Sequence, residues 1–191
     1  QPNLAVLNML NAKWIITGEA DKVQAVQNPG ALGNVWFIKG VNFVKGPVAE
    51  MKALTNLNTR DSAVVDESFK PMVTAFSPAD SSAIIKQTAF QNEAISYESN
   101  STTNNIAVFS EIYYKDWHAY LDGKPVPYFK ANYVLRAMVV PAGKHTIEFK
   151  FEPQVYFMSR SVSAVANWIV FILLLVAIFF EWKKRKNTST I

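Results

Sequence analysis

The chain has 191 residues, half of them apolar, so it is long enough to bury the core of one domain. Its formal net charge is +4, and much of the basic excess lies in a short C-terminal stretch. The charge therefore does not indicate a nucleic-acid-binding surface, and we expect no nucleic-acid partner. The absence of cysteine excludes disulfides and cysteine-ligated metal sites.

The N-terminus carries no recognisable targeting segment. The chain starts at Gln1, and neither a basic stretch nor an early apolar stretch of the signal-peptide kind follows. We therefore expect the chain to be a fragment or a processed product.

Residues 1–60 are predicted to form a small mixed α/β segment. Leucines three apart between Leu4 and Leu10 indicate a short amphipathic helix, and KWIIT at 13–17 is typical of a buried strand. The remaining predicted elements are two strands around an Asn-Pro-Gly turn and a helix that begins with a proline: 22–27, 34–44 and the segment from Pro47.

Residues 61–160 are predicted to form an antiparallel β-sandwich or jelly roll. The segment consists of short strand-like runs separated by turn signals: SAVVD, SAIIKQTAF, EAISYES, NIAVFSEIYY, WHAYL, KPVPYF, YVLRAMVV and HTIEFKF. In the last run, Ile147, Phe149 and Phe151 alternate with polar residues, which predicts a strand with one wet face. Asp122-Gly123 predicts a hairpin, and PAGK at 141–144 is predicted to turn YVLRAMVV back into HTIEFKF.

The apolar run Val162–Phe180 has no charged residue, and as a helix it would extend roughly 28 Å, close to the thickness of a bilayer core. We predict a transmembrane helix over residues 161–181 and therefore the lipid bilayer as a partner. The basic run Lys183–Lys186 follows it. Because basic flanks stay in the cytoplasm, residues 1–160 are expected outside the cytoplasmic membrane and the tail 182–191 inside.

The stretch YYKDWHAYLDGKPVPYF, residues 113–129, carries six aromatic side chains around the predicted hairpin. The favoured interpretation is that these rings pack across the hairpin and into the core. The alternative is a sugar-binding face, since aromatic rings stack on sugars and carboxylates accept hydrogen bonds from hydroxyls. The candidate glycan-binding residues are Tyr114, Trp117, Tyr120, Asp122 and Arg136.

Arg136 lies in a mostly apolar strand. We expect it to pair with an internal carboxylate or to reach the wet face of the sheet, with a ligand carboxylate or phosphate as the alternative partner.

The other polar residues predict no chemistry. His118 and His145 are the only histidines and show no metal-ligand spacing, so structural roles are expected for both. Asp61 and Asp66 fall on opposite faces of an extended strand, which disfavours a catalytic pair of carboxylates. No phosphate-binding loop or nucleophile motif occurs, and we expect no cofactor, no metal and no catalytic residue in this chain.

Ordered sequence blocks carry a resemblance to a known family. Four blocks occur in this order before the apolar run: LNMLNAKWII, NPGALGNVWFI, SAVVDESF and FSEIYYKDWHAYLDGKPVPYFKANYVLRAMVVPAGKHTIEFKFEP. Together with the apolar run, they resemble the C-terminal region of YfhO-like bacterial membrane proteins. The resemblance implies a membrane protein with many spans, similar to GT-C-type glycosyltransferases, that transfers sugar from a lipid-phosphate carrier to cell-surface glycopolymers.

The same resemblance implies that the catalytic acidic group lies in an early extracytoplasmic loop outside this chain. The chain would then be a non-catalytic ectodomain with the last span of the parent protein. Its partners would be the remaining spans and the lipid-linked sugar or surface glycopolymer. Two other interpretations remain open: a membrane-anchored module that binds glycan without catalysis, and a purely structural β-sandwich.

Overall fold

A computed structural model describes the backbone of residues 3–18, 22–73, 76–78 and 82–188, and the side chains of most of these residues as far as Glu181. The chain divides after Phe151 into a β-rich unit, here called the β domain, and a second unit that begins at Glu152. The mainly antiparallel strands of the first unit and the single long helix of the second confirm the predicted fold class.

The β domain begins with short helices and strands and continues with strands only. Its elements in chain order are α1 (Leu4–Met9), β1 (Trp14–Thr17), β2 (Gln24–Gln27), β3 (Val35–Ile38), β4 (Gly40–Val44), α2 (Pro47–Leu54), β5 (Ser62–Asp66), a 3-10 helix (Glu67–Met72), β6 (Ile84–Phe90), β7 (Ala94–Ser101), β8 (Asn105–Ile112), β9 (Trp117–Leu121), β10 (Lys124–Val126), β11 (Phe129–Ala131), β12 (Leu135–Val140) and β13 (Gly143–Phe151). The second unit is α3 (Gln154–Thr188).

Two antiparallel sheets share a buried core. The five-stranded sheet has the order β10-β9-β13-β7-β6, and the four-stranded sheet has the order β11-β12-β8-β3. Tyr97 and Phe149 from the first sheet meet Phe109 from the second, with ring centroids 4.8 and 4.9 Å apart in edge-on geometry. All three side chains are fully buried, so this aromatic group is the centre of the sandwich.

A second core lies on the other face of the four-stranded sheet. There β4 and β5 pair in parallel, and α2 forms the crossover between them that parallel strands require. Buried side chains of β3, β5, β11 and β12 pack together with Leu54 of α2. The carboxylate of Glu50, which is buried, pairs with Lys130 at 2.7 Å, so this layer is tied to the sandwich by charge as well as by apolar contact.

The strands do not follow the predicted division at residue 60. β3 comes from the predicted α/β segment but forms the edge of the four-stranded sheet. β5 comes from the predicted sandwich segment but pairs with β4. The predicted strand 34–44 is divided at Lys39, whose backbone N–H donates to the carbonyl of Asp61, so its two halves join different sheets.

Two predicted connections were wrong. The PAGK turn does not form a hairpin, because β12 lies in the four-stranded sheet and β13 in the five-stranded one, so the turn carries the chain from one sheet to the other. KPVPYF is not one strand either. Its two halves, β10 and β11, also lie in different sheets. Pro125 and Pro127 lack the N–H groups that a continuous central strand needs, and β10 is accordingly an edge strand.

The strand KWIIT forms as predicted, but the prediction of burial was wrong. Trp14 and Ile16 are 62% and 74% exposed, because β1 pairs only with β2 in a two-stranded ribbon. No third strand or helix covers this face within the described residues.

Helix α3 begins at Gln154, seven residues before the predicted start of the span. Its 28 residues from Gln154 to Glu181 are long and apolar enough to cross a membrane, and its most apolar part is not buried against other described residues. The predicted transmembrane helix is thus present as a helix of suitable length and composition.

The central aromatic group generates a stability prediction. Phe149→Ala removes a fully buried ring that contacts Tyr97, Phe109 and Tyr128. We expect the free energy of unfolding of the β domain to fall by about 3–5 kcal/mol, measured by denaturant titration of the full chain in detergent. The control is Val48→Ala on α2, where the side chain is 66% exposed and the expected change is below about 0.5 kcal/mol. Equal effects of the two substitutions would contradict the assigned core.

Candidate functional site

The five candidate glycan-binding residues do not form one site. Arg136 and Trp117 contact each other between the two sheets, and Tyr114 lies in the loop just before Trp117. Tyr120 and Asp122 belong to the outer side of the five-stranded sheet and to the hairpin at its other end. The structure therefore offers two separate places to consider.

Arg136 is 2% exposed and points into the sandwich. Its guanidinium carbon lies 4.1 Å from the centre of the Trp117 ring and 5.1 Å from that of Phe149. Its Nε donates to the carbonyl of Ile112 at 3.0 Å, while its Nη1 is buried with no hydrogen-bond partner among the described residues. Stacking on two aromatic faces stabilises the buried cation, so the expected path to the wet face is not taken.

Glu111 supplies the nearby negative charge. The pairing of β8 with β12 shifts between Leu135 and Arg136, leaving Ser110 and Glu111 as extra residues on β8. Burial raises the pKa of Glu111, and the charge of Arg136 opposes that rise. The bulge thus leaves Glu111 at a position where its carboxylate interacts electrostatically with the buried arginine.

Trp117 packs against the core, as the favoured interpretation of the hairpin predicts. Its ring centroid lies 5.4 Å from that of Phe151, and its carbonyl accepts a hydrogen bond from the Tyr128 hydroxyl at 3.0 Å. Tyr114 differs, because it is 52% exposed. The aromatic hairpin is therefore mainly a structural cluster with one exposed ring.

The outer face of the five-stranded sheet carries a polar groove. Its volume is about 440 Å³, within the usual range of small-ligand sites. The groove is lined by residues of β6, β7 and β13 and of the β9–β10 hairpin: Ile84, Lys86, Glu98, Ser99, Asn100, Asp122, Lys144, His145 and Thr146. We call this surface the polar groove.

Strand register explains how the groove is assembled. Thr146 pairs with Glu98, and Glu98 pairs with Lys86, so the three side chains form a row across β13, β7 and β6. A parallel row joins Lys144, Asn100 and Ile84. These residues alternate with buried or partly buried ones in each strand, so their side chains project away from the core.

The hairpin fixes one wall of the groove. Asp122 and Gly123 both have positive φ, 51° and 77°, as the tightest hairpin turns require. One oxygen of the Asp122 carboxylate accepts the N–H of Thr146 at 2.9 Å, and the other lies 2.7 Å from His145 Nδ1. The Asp-Gly turn was predicted from sequence; the histidine partner was not.

His145 lies between two hydrogen-bond acceptors. Its Nδ1 faces the Asp122 carboxylate, and its Nε2 lies 3.2 Å from the carbonyl of Ala142. Both neighbours are acceptors, so the doubly protonated ring can satisfy both. The hydrogen bond that the Asp122 carboxylate accepts from His145 raises the pKa of His145 above its usual value and lowers the pKa of Asp122.

Tyr120 lies beside the groove rather than in it. It pairs with Glu148 in the row next to that of Thr146, and Lys150 Nζ lies 5.0 Å from its ring centre. Tyr120 and Asp122 are thus the two predicted residues that the structure places next to or within the groove.

Sequence reasoning missed the other charged and amide groups of the groove, among them Lys86, Glu98 and Lys144. Their only signal was the polar side of an alternating strand, and that signal does not reveal which strands become neighbours.

The remaining polar candidates have structural partners or lie at the surface. Asp61 pairs with Lys39 at 2.8 Å. Hydrogen bonds from Ser68 and from the Gly46 backbone lower the pKa of Asp66 to about 2. His118 is exposed. Within the part of the chain that the structure describes, no group of three or more histidine or carboxylate side chains is arranged to hold a metal.

The Asp122–His145 pair predicts a pH-dependent stability. Asp122 contributes to the stability of the β domain above its unfolded pKa of 3.8. His145 contributes to this stability below its unfolded pKa of 6.5, and its contribution is lost as the pH rises through its higher folded pKa. Asp122→Asn should therefore destabilise the β domain most between these two values, by about 0.5–1 kcal/mol for so exposed a pair, and less at about pH 9.

The measurement is the thermal midpoint of the full chain in detergent across this pH range. Glu98→Gln is the control, because it removes a carboxylate that pairs with Lys86, at 3.3 Å, and not with a histidine. If the difference in thermal midpoint between the wild type and Asp122→Asn does not change with pH, the assignment of the pair is contradicted.

Comparison with known proteins matches the chain to a protein family. The family model described as "Bacterial membrane protein YfhO" matches residues 52–163, from within α2 to the first turns of α3. No curated protein and no solved structure matches the chain. The match covers more than half of the chain and includes every strand of the two sandwich sheets except β3. The chain therefore belongs to the YfhO family of bacterial membrane proteins.

Proposed function

We propose that the β domain is a non-catalytic extracytoplasmic module that holds a cell-surface glycan in the polar groove. The chemistry would take place in another part of a longer parent protein, which would transfer sugar from a lipid-phosphate carrier. The observation that supports this proposal is the groove itself, since it places charged, amide and hydroxyl groups in two rows on a rigid sheet. Sugar hydroxyls need donors and acceptors in fixed positions.

Several contacts make the groove suitable for a polar ligand. The ion pair of Lys86 with Glu98 at 3.3 Å leaves oxygens and N–H groups at the surface, with both side chains more than half exposed. Lys144 adds a cation that can meet a phosphate or carboxylate on an acidic glycan. Tyr120, in the adjacent row, provides a ring face next to these groups, and such faces stack on sugars.

The basic run Lys183–Lys186 supports the proposed orientation. By the positive-inside tendency, the tail after α3 would lie in the cytoplasm and the β domain outside. This is the side on which a lipid-linked sugar and a surface glycopolymer would be available to the parent protein.

The direct test is isothermal titration of the full chain in lipid nanodiscs with two probes, a neutral oligosaccharide and a polyol-phosphate oligomer. We expect saturable binding of at least one probe. Glu98→Gln and Lys144→Ala should each weaken it about 2- to 10-fold, the effect of one lost hydrogen bond. Lys52→Ala is the matched control, because Lys52 is exposed on α2 outside the groove.

Equal binding affinity in all variants would show that the ligand binds at another surface of the protein. Absence of saturable binding for both probes would reject the glycan-holding role. It would leave the structural alternative, which is favoured by the buried contact of Arg136 with Trp117.

A further inference from the structure

One end of the β domain carries several exposed apolar side chains. The chain leaves the sandwich there, because β13 ends at Phe151 and only Glu152 and Pro153 precede α3. Register places the end of β6 at the same end, since Phe90 and Phe149 both pair with Ile95. We call this the exit end.

Large apolar side chains are exposed around the exit end. Phe90 and Ile112 are each 63% exposed, and Tyr114 is 52% exposed. Ile112 ends β8 three residues after Phe109, whose ring packs on Phe149. Exposed apolar groups are common singly, but a group gathered at one end of a domain indicates an interaction surface.

The β1–β2 ribbon is attached at the same end. Ser110 Oγ donates to the carbonyl of Met9 at 2.9 Å, and the ribbon begins five residues later at Trp14. Trp14 and Ile16 are two residues apart on one strand and therefore share a face. Both are largely exposed, at 62% and 74%, so the ribbon adds a second exposed apolar face, attached through Met9 next to the exit end.

The opposite end of the sandwich is polar. β13 has nine residues and is about 27 Å long, and its first residues include Lys144 and His145, which line the polar groove together with Asp122. Exposed apolar side chains thus lie at the end from which the chain enters α3, beside the exposed polar turn 91–93, while Asp122, Lys144 and His145 lie toward the other end.

We propose that the exit end of the β domain lies in the headgroup region of the lipid bilayer, with Trp14, Ile16, Phe90, Ile112 and Tyr114 as its contact residues. The occupant follows from chain continuity, because two residues after the exit end the chain forms a helix suited to crossing a membrane. Trp and Tyr favour the membrane–water interface. The exposed lysines next to these aromatic residues, Lys13 and Lys115, can meet anionic headgroups.

This proposal is independent of glycan binding, and tryptophan fluorescence tests it. The full chain with Trp168→Phe and Trp182→Phe is reconstituted into vesicles of phosphatidylcholine and phosphatidylglycerol with or without brominated acyl chains. We expect bromine on the acyl-chain carbons closest to the headgroups to quench part of the tryptophan emission. Trp14→Phe should remove most of the quenched part, since Trp36 is buried and Trp117 is shielded by Arg136 and Phe151.

Two matched substitutions keep the test informative. Ile112→Ser should reduce the quenching of Trp14. Ile84→Ser, at a similarly exposed position in the polar groove, should leave this quenching unchanged. Far-UV and near-UV circular dichroism verifies the fold of both variants. Two results would overturn the proposal. One is quenching that does not depend on Trp14. The other is protection of Trp14 from quenching that increases with the protein-to-lipid ratio. In that case a second copy of the chain would cover the exit end.

Discussion

The structure depends on the alternation of side chains along β13. Ile147 and Phe149 are fully buried between the sheets, while Lys144 and Thr146 line the polar groove on the other face. The strand pairs with β7 on one side and β9 on the other, so its register positions both the core and the groove. A shift by one residue would turn charged groups into the aromatic core. Core packing and groove geometry are therefore consequences of the same register.

Arg136 shows how the sandwich accommodates a costly group. A buried cation is unfavourable unless its surroundings compensate for lost hydration. Here the rings of Trp117 and Phe149 cover its faces, the Ile112 carbonyl accepts from Nε, and Glu111 adds negative charge. These contacts join β8, β9, β12 and β13 across the two sheets. The aromatic hairpin thus helps to hold the sheets together near the exit end, while its Asp-Gly turn forms a wall of the groove at the other end.

Much of the fold could be predicted because it depends on local signals. Alternation identified HTIEFKF as a strand with one buried face, Asp122-Gly123 specified a hairpin, and an uninterrupted apolar run specified α3. The errors concern partners distant in sequence. PAGK looks like a hairpin turn whether the next strand returns to the same sheet or enters the other. KWIIT has the composition of a buried strand but pairs only with β2. The groove combines residues near positions 85, 99, 122 and 145, and no short stretch of sequence encodes that juxtaposition.

In the proposed orientation, the groove faces the outside of the cell and the basic tail faces the cytoplasm. Because the chain has no cysteine, single cysteines at Lys144→Cys and Asn187→Cys can be labelled without background by a membrane-impermeant maleimide. In intact bacterial cells made permeable only at any outer envelope layer, the account predicts labelling at position 144. It predicts labelling at position 187 only after the cytoplasmic membrane is opened. Labelling of position 187 but not 144 in intact cells would contradict the account.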